Sequence, residues 1–314
     1  MNAAVWAQAV KESISTVIYG QEANIDKIIV ALLCGGHALL EDVPGVGKTV
    51  LARAFSKTIG GRMRRVQCTP DLMPGDVLGF SVFNNDTGEF DFREGPVVTN
   101  ILLVDEINRA TPRTQSALLQ AMEEKQISVD GRLIRLPKPF FVLATENPVE
   151  FEGTFPLPSA QKDRFFLSLH LGYPSEVLEK QIMDSHRRLT HPVTDLLPVT
   201  NADEVVRLKD EVLDIRVDNS ITGYIIDLVE NTRKDIRLEL GASPRASMAL
   251  YRGAQALAAI RGRSDVIADD IRELARPVLS KRITVTAEHL LNGVSEEAVI
   301  DDILESTPVK SREP

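Results

Sequence analysis

Three short stretches of the chain carry side chains that could manage phosphate. The first is Glu41–Asp42–Val43–Pro44–Gly45–Val46–Gly47–Lys48–Thr49. Its glycines let the backbone curl so that successive N–H groups point inward at an anion. A helix opening at Gly47–Lys48 would present its positive end to the same group. Lys48 would reach the outer phosphates of a nucleotide as a point charge, and the Thr49 hydroxyl would ligate Mg²⁺. The nucleotide contacts expected on this reading are Pro44, Gly45, Val46, Gly47, Lys48, Thr49 and Val50. The strict phosphate-loop pattern wants glycine where Asp42 stands. Asp tolerates a left-handed turn better than most residues, so the loop can survive the exchange.

The second stretch is Asp105–Glu106 and the third is Glu146–Asn147–Pro148. Asp105 would hold Mg²⁺, often through water, and Glu106 would polarise an attacking water. Asn147 can touch both a γ-phosphate and that water. Each has a bland alternative: a plain glycine turn, a surface acidic pair, a turn-forming Asn before proline. Together in one chain they point to nucleotide chemistry.

These groups need rigid supports. Ala38–Leu39–Leu40 reads as a buried strand entering the glycine turn, and about 47–59 as the helix leaving it. Ile101–Leu102–Leu103–Val104 lacks alternation, as a strand covered on both faces of a parallel sheet does. Its carboxylates emerge at the carboxyl end, where open α/β sheets bind ligands. Pro139–Thr145, Met63–Gln67 and Phe166–Leu171 read as further strands, and Gln115–Glu123 as a helix. Two hairpins are expected: one around Asn84–Gly88, flanked by Phe80–Phe83 and Glu89–Phe92, and one turning at Asp130–Gly131. Upstream, Val17, Ile18 and Ile25 are either adenine-pocket wall or plain core.

Gly172–Tyr173–Pro174 marks a boundary, beyond which the pattern is helical throughout. Ser243–Pro244–Arg245 reads as a helix start with cap, first-turn proline and an arginine on the first turn. The expected organisation is an α/β nucleotide-binding domain over 1–173, a linker over 174–190, and an all-helical domain over 191–314.

Composition narrows the class. The 314 residues are 43% hydrophobic and 26% charged, ordinary for a globular chain. A net charge of −9 disfavours a general nucleic-acid surface. The two cysteines, Cys34 and Cys68, lie far apart without metal-ligand spacing, so reduced thiols are expected. No apolar run approaches the roughly 18 residues that cross a bilayer. The N-terminus shows no signal-peptide pattern, and a cytoplasmic location is expected.

Taken together, Pro44–Thr49, Asp105–Ala110, Ala144–Pro148 and Asp163–Arg164–Phe165 resemble the MoxR family of AAA+ ATPases. Thr114–Glu124, Glu152–Pro158 and Gly241–Ala246 extend the resemblance to roughly residues 10–305. It implies an α/β P-loop core with a five-stranded parallel sheet, followed by an all-helical lid. The Asn147 strand would lie between the phosphate-loop strand and the Asp105 strand. The hairpins near 78–95 and 125–137 would be the family's insertions, facing a pore or a partner. ATP and Mg²⁺ are the implied cofactors and ATP hydrolysis the implied reaction. Arg164 looks like an arginine finger acting on ATP held by a neighbouring subunit, and Arg245 like a lid sensor closing on the γ-phosphate. A buried arginine at such a strand end needs an anion, though a structural salt bridge is the alternative for each; Arg109 and Arg113 are weaker candidates. The implied partners are further copies of the chain in a ring, expected to be a hexamer, and a client or von Willebrand factor A domain protein. Neither nucleic acid nor membrane insertion is expected. Two other readings stay open: an ATP-gated scaffold with little turnover, and a magnesium-chelatase-like ATPase subunit.

Overall fold

The computed structural model describes residues 1–42, 45–147, 153–185 and 192–310. Two amphipathic helices open the chain, α1 (Ala3–Ser15) and α2 (Glu22–Leu33), and β1 (Ala38–Glu41) then leads through the glycine turn to α3 (Lys48–Thr58). Next come β2 (Met63–Gln67), the short α4 (Pro74–Leu78) and the hairpin β3 (Gly79–Asn84)–β4 (Glu89–Glu94). β5 (Ile101–Asp105) and α5 (Pro112–Glu124) precede a second hairpin, β6 (Gln126–Val129)–β7 (Arg132–Arg135), and β8 (Phe141–Glu146). α6 (Ser159–Lys162) and β9 (Leu167–Leu169) complete this part. Beyond it lie α7 (Glu176–Ser185), α8 (Ala202–Leu213), α9 (Asn219–Lys234), β10 (Leu238–Leu240) and α10 (Pro244–Ile260). The last elements are α11 (Ala268–Leu279), β11 (Thr284–Val285), α12 (Ala287–Leu291) and α13 (Glu296–Ser306).

Five parallel strands form one sheet in the order β2-β5-β8-β1-β9. The strand ending at Glu146 therefore lies between the phosphate-loop strand and the Asp105 strand. Register aligns their carboxyl ends: Gln67 sits beside Asp105, Val104 beside Ala144, and Glu41 beside Glu146. The side chains that emerge there share one edge because the strands stop together.

Apolar side chains alternate between two cores, one on each face of the sheet. Leu40, Leu103 and Leu143 meet α1, α2 and α3 on one face. Leu39, Leu102, Val104 and Val142 meet Leu118, Leu119 and Met122 of α5 on the other. This is why Ile101–Val104 reads as a continuous apolar run. The first core continues into the lid, where the alanine-rich α10 lies against α1, α2, α8, α9 and α11. Trp6 and Phe55 are fully buried within it, each contributing about 1.5–3 kcal/mol by leaving water.

Both hairpins form in the expected places. The chain is an α/β core built on a five-stranded parallel sheet, followed by a helical lid, and the lid departs from an all-helical pattern at one point. β10 and β11 pair as a short antiparallel ribbon. At three and two residues, these strands are too short to show a period. α5 begins at Pro112, earlier than the apolar pattern suggests, because the Thr111 side chain caps it by accepting from the Thr114 N–H. β9 ends at Leu169; as the sheet's edge strand it pairs with β1 alone.

Candidate functional site

The phosphate cradle is built from backbone. Gly45 and Gly47 have φ of 91° and 92°, a region that side chains rarely adopt. Gly47 is the N-cap of α3, so the free N–H groups of that helix face the turn. Lys48 Nζ donates to the Asp42 carbonyl at 2.7 Å. Burial lowers the Lys48 pKa, while Asp42, Asp105 and Glu106 oppose that shift. Pro44, expected to touch the nucleotide, lies outside the described residues, as does Val43. The expectation for Asp42 needs correcting, since Asp42 is not among the residues with positive φ. Its carboxylate instead accepts from the backbone of Leu171 at 2.7 Å and Gly172 at 3.1 Å. Asp42 therefore ties the end of β1, just before the glycine turn, to the segment that follows β9.

The two carboxylates end β5 differently. Asp105 is buried and accepts from Arg65 Nε at 2.6 Å. Glu106 holds a left-handed backbone with φ of 55°, and its N–H donates to Thr145 Oγ1 at 2.8 Å. Such strain in a non-glycine residue clusters where a side chain must be aimed. The Glu106 carboxylate accepts from Gln67 Nε2 at 2.9 Å and Arg109 Nη1 at 3.0 Å.

Lys48, Thr49, Asp105, Glu106 and Asn147 line a single cavity of about 190 Å³, with Arg65, Gln67 and Thr145. Sequence reasoning missed the last three. Arg65 and Gln67 sit two residues apart on β2 and so share a face, but nothing in the sequence shows that β2 lies beside β5. Among the described residues no cluster of three acidic, histidine or cysteine side chains could cage a metal. Thr49 and Asp105 border the same cavity, and one or two protein oxygens are the kind of set Mg²⁺ takes when water and phosphates complete its shell.

A second cavity of about 290 Å³ opens on the other side of the turn and shares Gly45, Gly47 and Val50 with the first. Val17, Ile18, Tyr19, Val46 and Pro174 give it apolar walls, which suit a flat heteroaromatic ring. Ile25 is fully buried in the core instead.

Arg164 and Arg245 line neither cavity. They lie together on another face, in a concavity of about 320 Å³. Arg245 Nη2 meets Glu123 Oε1 at 2.6 Å, and Arg164 Nε lies 3.6 Å from Glu123 Oε2. Arg164 is exposed, contrary to the expectation of a buried arginine. The buried one is Arg282, also missed in the sequence. Its Nε donates to Asp163 Oδ1 at 2.6 Å, and its Nη groups donate to the carbonyls of Phe165 at 2.7 Å and Phe166 at 3.0 Å. Asp163 Oδ2 accepts from Ser243 Oγ at 2.9 Å. One aspartate thus joins the Arg164 segment to the helix start that carries Arg245.

Residues 37–167 match the model of the ATPase family associated with various cellular activities, and residues 230–303 match the AAA lid domain. YeaC of Bacillus subtilis is 46% identical over 95% of this chain and 93% of its own length. The chaperone MoxR1 of Mycobacterium tuberculosis is 39% identical over 93% of this chain and 79% of its own. The chain belongs to the MoxR family of AAA+ ATPases. A crystal structure of a candidate ATPase from Cytophaga hutchinsonii superposes with a TM-score of 0.92 at 34% identity, covering 98% of this chain and 96% of that one. In this MoxR-family chain Lys48, Thr49, Asp105, Glu106 and Asn147 converge, while Arg164, expected to act on a neighbour's ATP, and Arg245, expected to close on the γ-phosphate, stand apart from them with Glu123. No helix among the described residues is long and apolar enough to cross a membrane.

Proposed function

We propose that this chain hydrolyses ATP in a ring of identical subunits, each ring junction completing one active site, and that the cycle remodels or activates a partner protein. The observation that carries the reading is the division of charged groups between two faces. Lys48 would neutralise the outer phosphates, Thr49 and Asp105 would hold Mg²⁺, and Glu106 would accept a proton from the attacking water while Asn147 orients it. Bound Mg²⁺ would supply charge neutralisation across the phosphates. Arg65, the other cation of this cavity, is held by Asp105 at 2.6 Å, and Arg164 and Arg245 sit on a surface a neighbouring copy could bring to the developing negative charge. A finger supplied this way is worth roughly 10³–10⁵ in rate in related phosphoryl transfer.

Partner contact is supported by exposed apolar side chains on the first hairpin. Phe80, Phe83 and Phe90 are each at least half exposed, and Phe83 meets Phe90 edge-to-face across the strands. A client or a von Willebrand factor A domain protein is the partner class this reading adopts, with no role for nucleic acid. This reading divides the chain into a nucleotide-binding domain over 1–173, a linker over 174–190 and a helical lid domain over 191–314. Isothermal titration with ATP, alongside phosphate release, tests the assignment. Glu106→Gln should retain ATP binding and lose turnover; tight binding with full turnover in that variant rules out Glu106 as the base.

A further inference from the structure

Glu123 occupies a position that its own helix disfavours. It stands beside Glu124 in the last turn of α5, which has no basic residue there, and a carboxylate at a helix C-terminus meets the negative end of the dipole. Its surroundings compensate. One oxygen receives Arg245 Nη2 at 2.6 Å, and the other lies 3.6 Å from Arg164 Nε. Among the ion pairs of the described residues, Glu123 is the partner of both arginines, while Asp163 is engaged by Arg282 and Ser243. The three side chains come from three elements: the end of α5, the segment after α6, and the first turn of α10.

We propose that Glu123 is a positioning residue for the reaction, holding Arg164 and Arg245 side by side with their free N–H groups turned toward a neighbouring subunit's nucleotide. This rests on the reading that the two arginines act across a ring junction. Engagement of Arg164 through Nε leaves its two Nη groups, the fork that matches phosphate oxygens. The arginines and Glu123 keep a third to a half of their side-chain surface in water, and such pairs add little to stability. Their effect is to restrict two long side chains and offset the repulsion between two like charges.

The test uses purified full-length variants and ATP with Mg²⁺. Glu123→Ala should lower turnover at saturating ATP by about 10- to 100-fold, the scale on which misplacing a reacting group acts. ATP affinity and thermal unfolding should be unchanged, so that the loss falls on turnover alone. The decisive readout is a mixture. Glu123→Ala keeps an intact phosphate pocket, and Glu106→Gln keeps intact arginines and Glu123, so an equimolar mixture should regain turnover above the sum of its parts. Arg164→Ala mixed with Glu106→Gln is the control. Recovery in the control without recovery for Glu123→Ala, or full turnover of Glu123→Ala alone, overturns the role of Glu123 while leaving the ring reading standing. No recovery in either mixture overturns the ring reading, and this inference with it.

Discussion

Lys48 and Glu106 share a cavity, yet they should answer different measurements. Removing the ammonium in Lys48→Ala takes away charge-assisted bonds to phosphate and should weaken ATP binding by about 2–3 kcal/mol, roughly two decades in Kd. Titration calorimetry reads this directly. Glu106→Gln should bind ATP as before and turn it over about 10²–10⁴-fold more slowly, the range for loss of a general base. Arg282 belongs to stability: it is 5% exposed and holds Asp163. Arg282→Ala should cost about 3–5 kcal/mol in denaturant unfolding, because it leaves a carboxylate without its partner in a low-dielectric setting. The four residues Lys48, Thr49, Asp105 and Glu106 were legible because their motifs lie on contiguous sequence that ends a strand or opens a helix. Arg65, Gln67, Glu123 and Arg282 were not, since their roles depend on which distant segment lies opposite. The place of Asp42 in the loop pattern suggests a turn residue, whereas its two hydrogen bonds reach Leu171 and Gly172, segments the local sequence does not show as neighbours.

At the scale of elements, two joints carry predictions. His37 is 3% exposed and sits where β1, β8 and α5 meet. Its Nδ1 accepts from the Val142 N–H at 3.0 Å, and its Nε2 faces the Met122 carbonyl at 3.0 Å. A protonated ring would set an N–H against the Val142 N–H. Burial lowers its pKa to about 4 from 6.5. Between those values the unfolded chain binds the proton that the folded chain refuses. This contribution is therefore fully present above about pH 6.5 and is lost as pH falls toward 4, by about 3 kcal/mol at most. Urea unfolding across that window should show the slope, and His37→Gln should flatten it. The second joint is Asp42. Asp42→Gly restores the strict loop pattern but removes two charge-assisted bonds, and should lose about 2–4 kcal/mol of stability; an unchanged unfolding midpoint contradicts the tie to Leu171 and Gly172. Strands and hairpins were readable because apolar runs and an Asp-Gly turn are local signals. The β10–β11 ribbon was not, because its pairing is made across α10 and α11.

For the whole molecule, a single apolar core runs from the sheet through α1 and α2 into α10. Any change of angle between sheet and lid must work against that shared core, with Gly172, at φ of 67°, as the compliant point next to the Asp42 tie. The family was legible in the order of its motifs along the chain. The place of Arg245 was not, because a helix start in the sequence says nothing about which face of the assembled fold it joins. On the proposed function, each site is completed between copies. The most direct measurement of this is ATP turnover per subunit, with Mg²⁺, over a wide range of protein concentration, for the unaltered chain and for Arg164→Ala. Turnover per subunit should climb with concentration to a plateau in the unaltered chain and stay low throughout in the variant. Turnover independent of concentration and insensitive to Arg164 would contradict completion between copies.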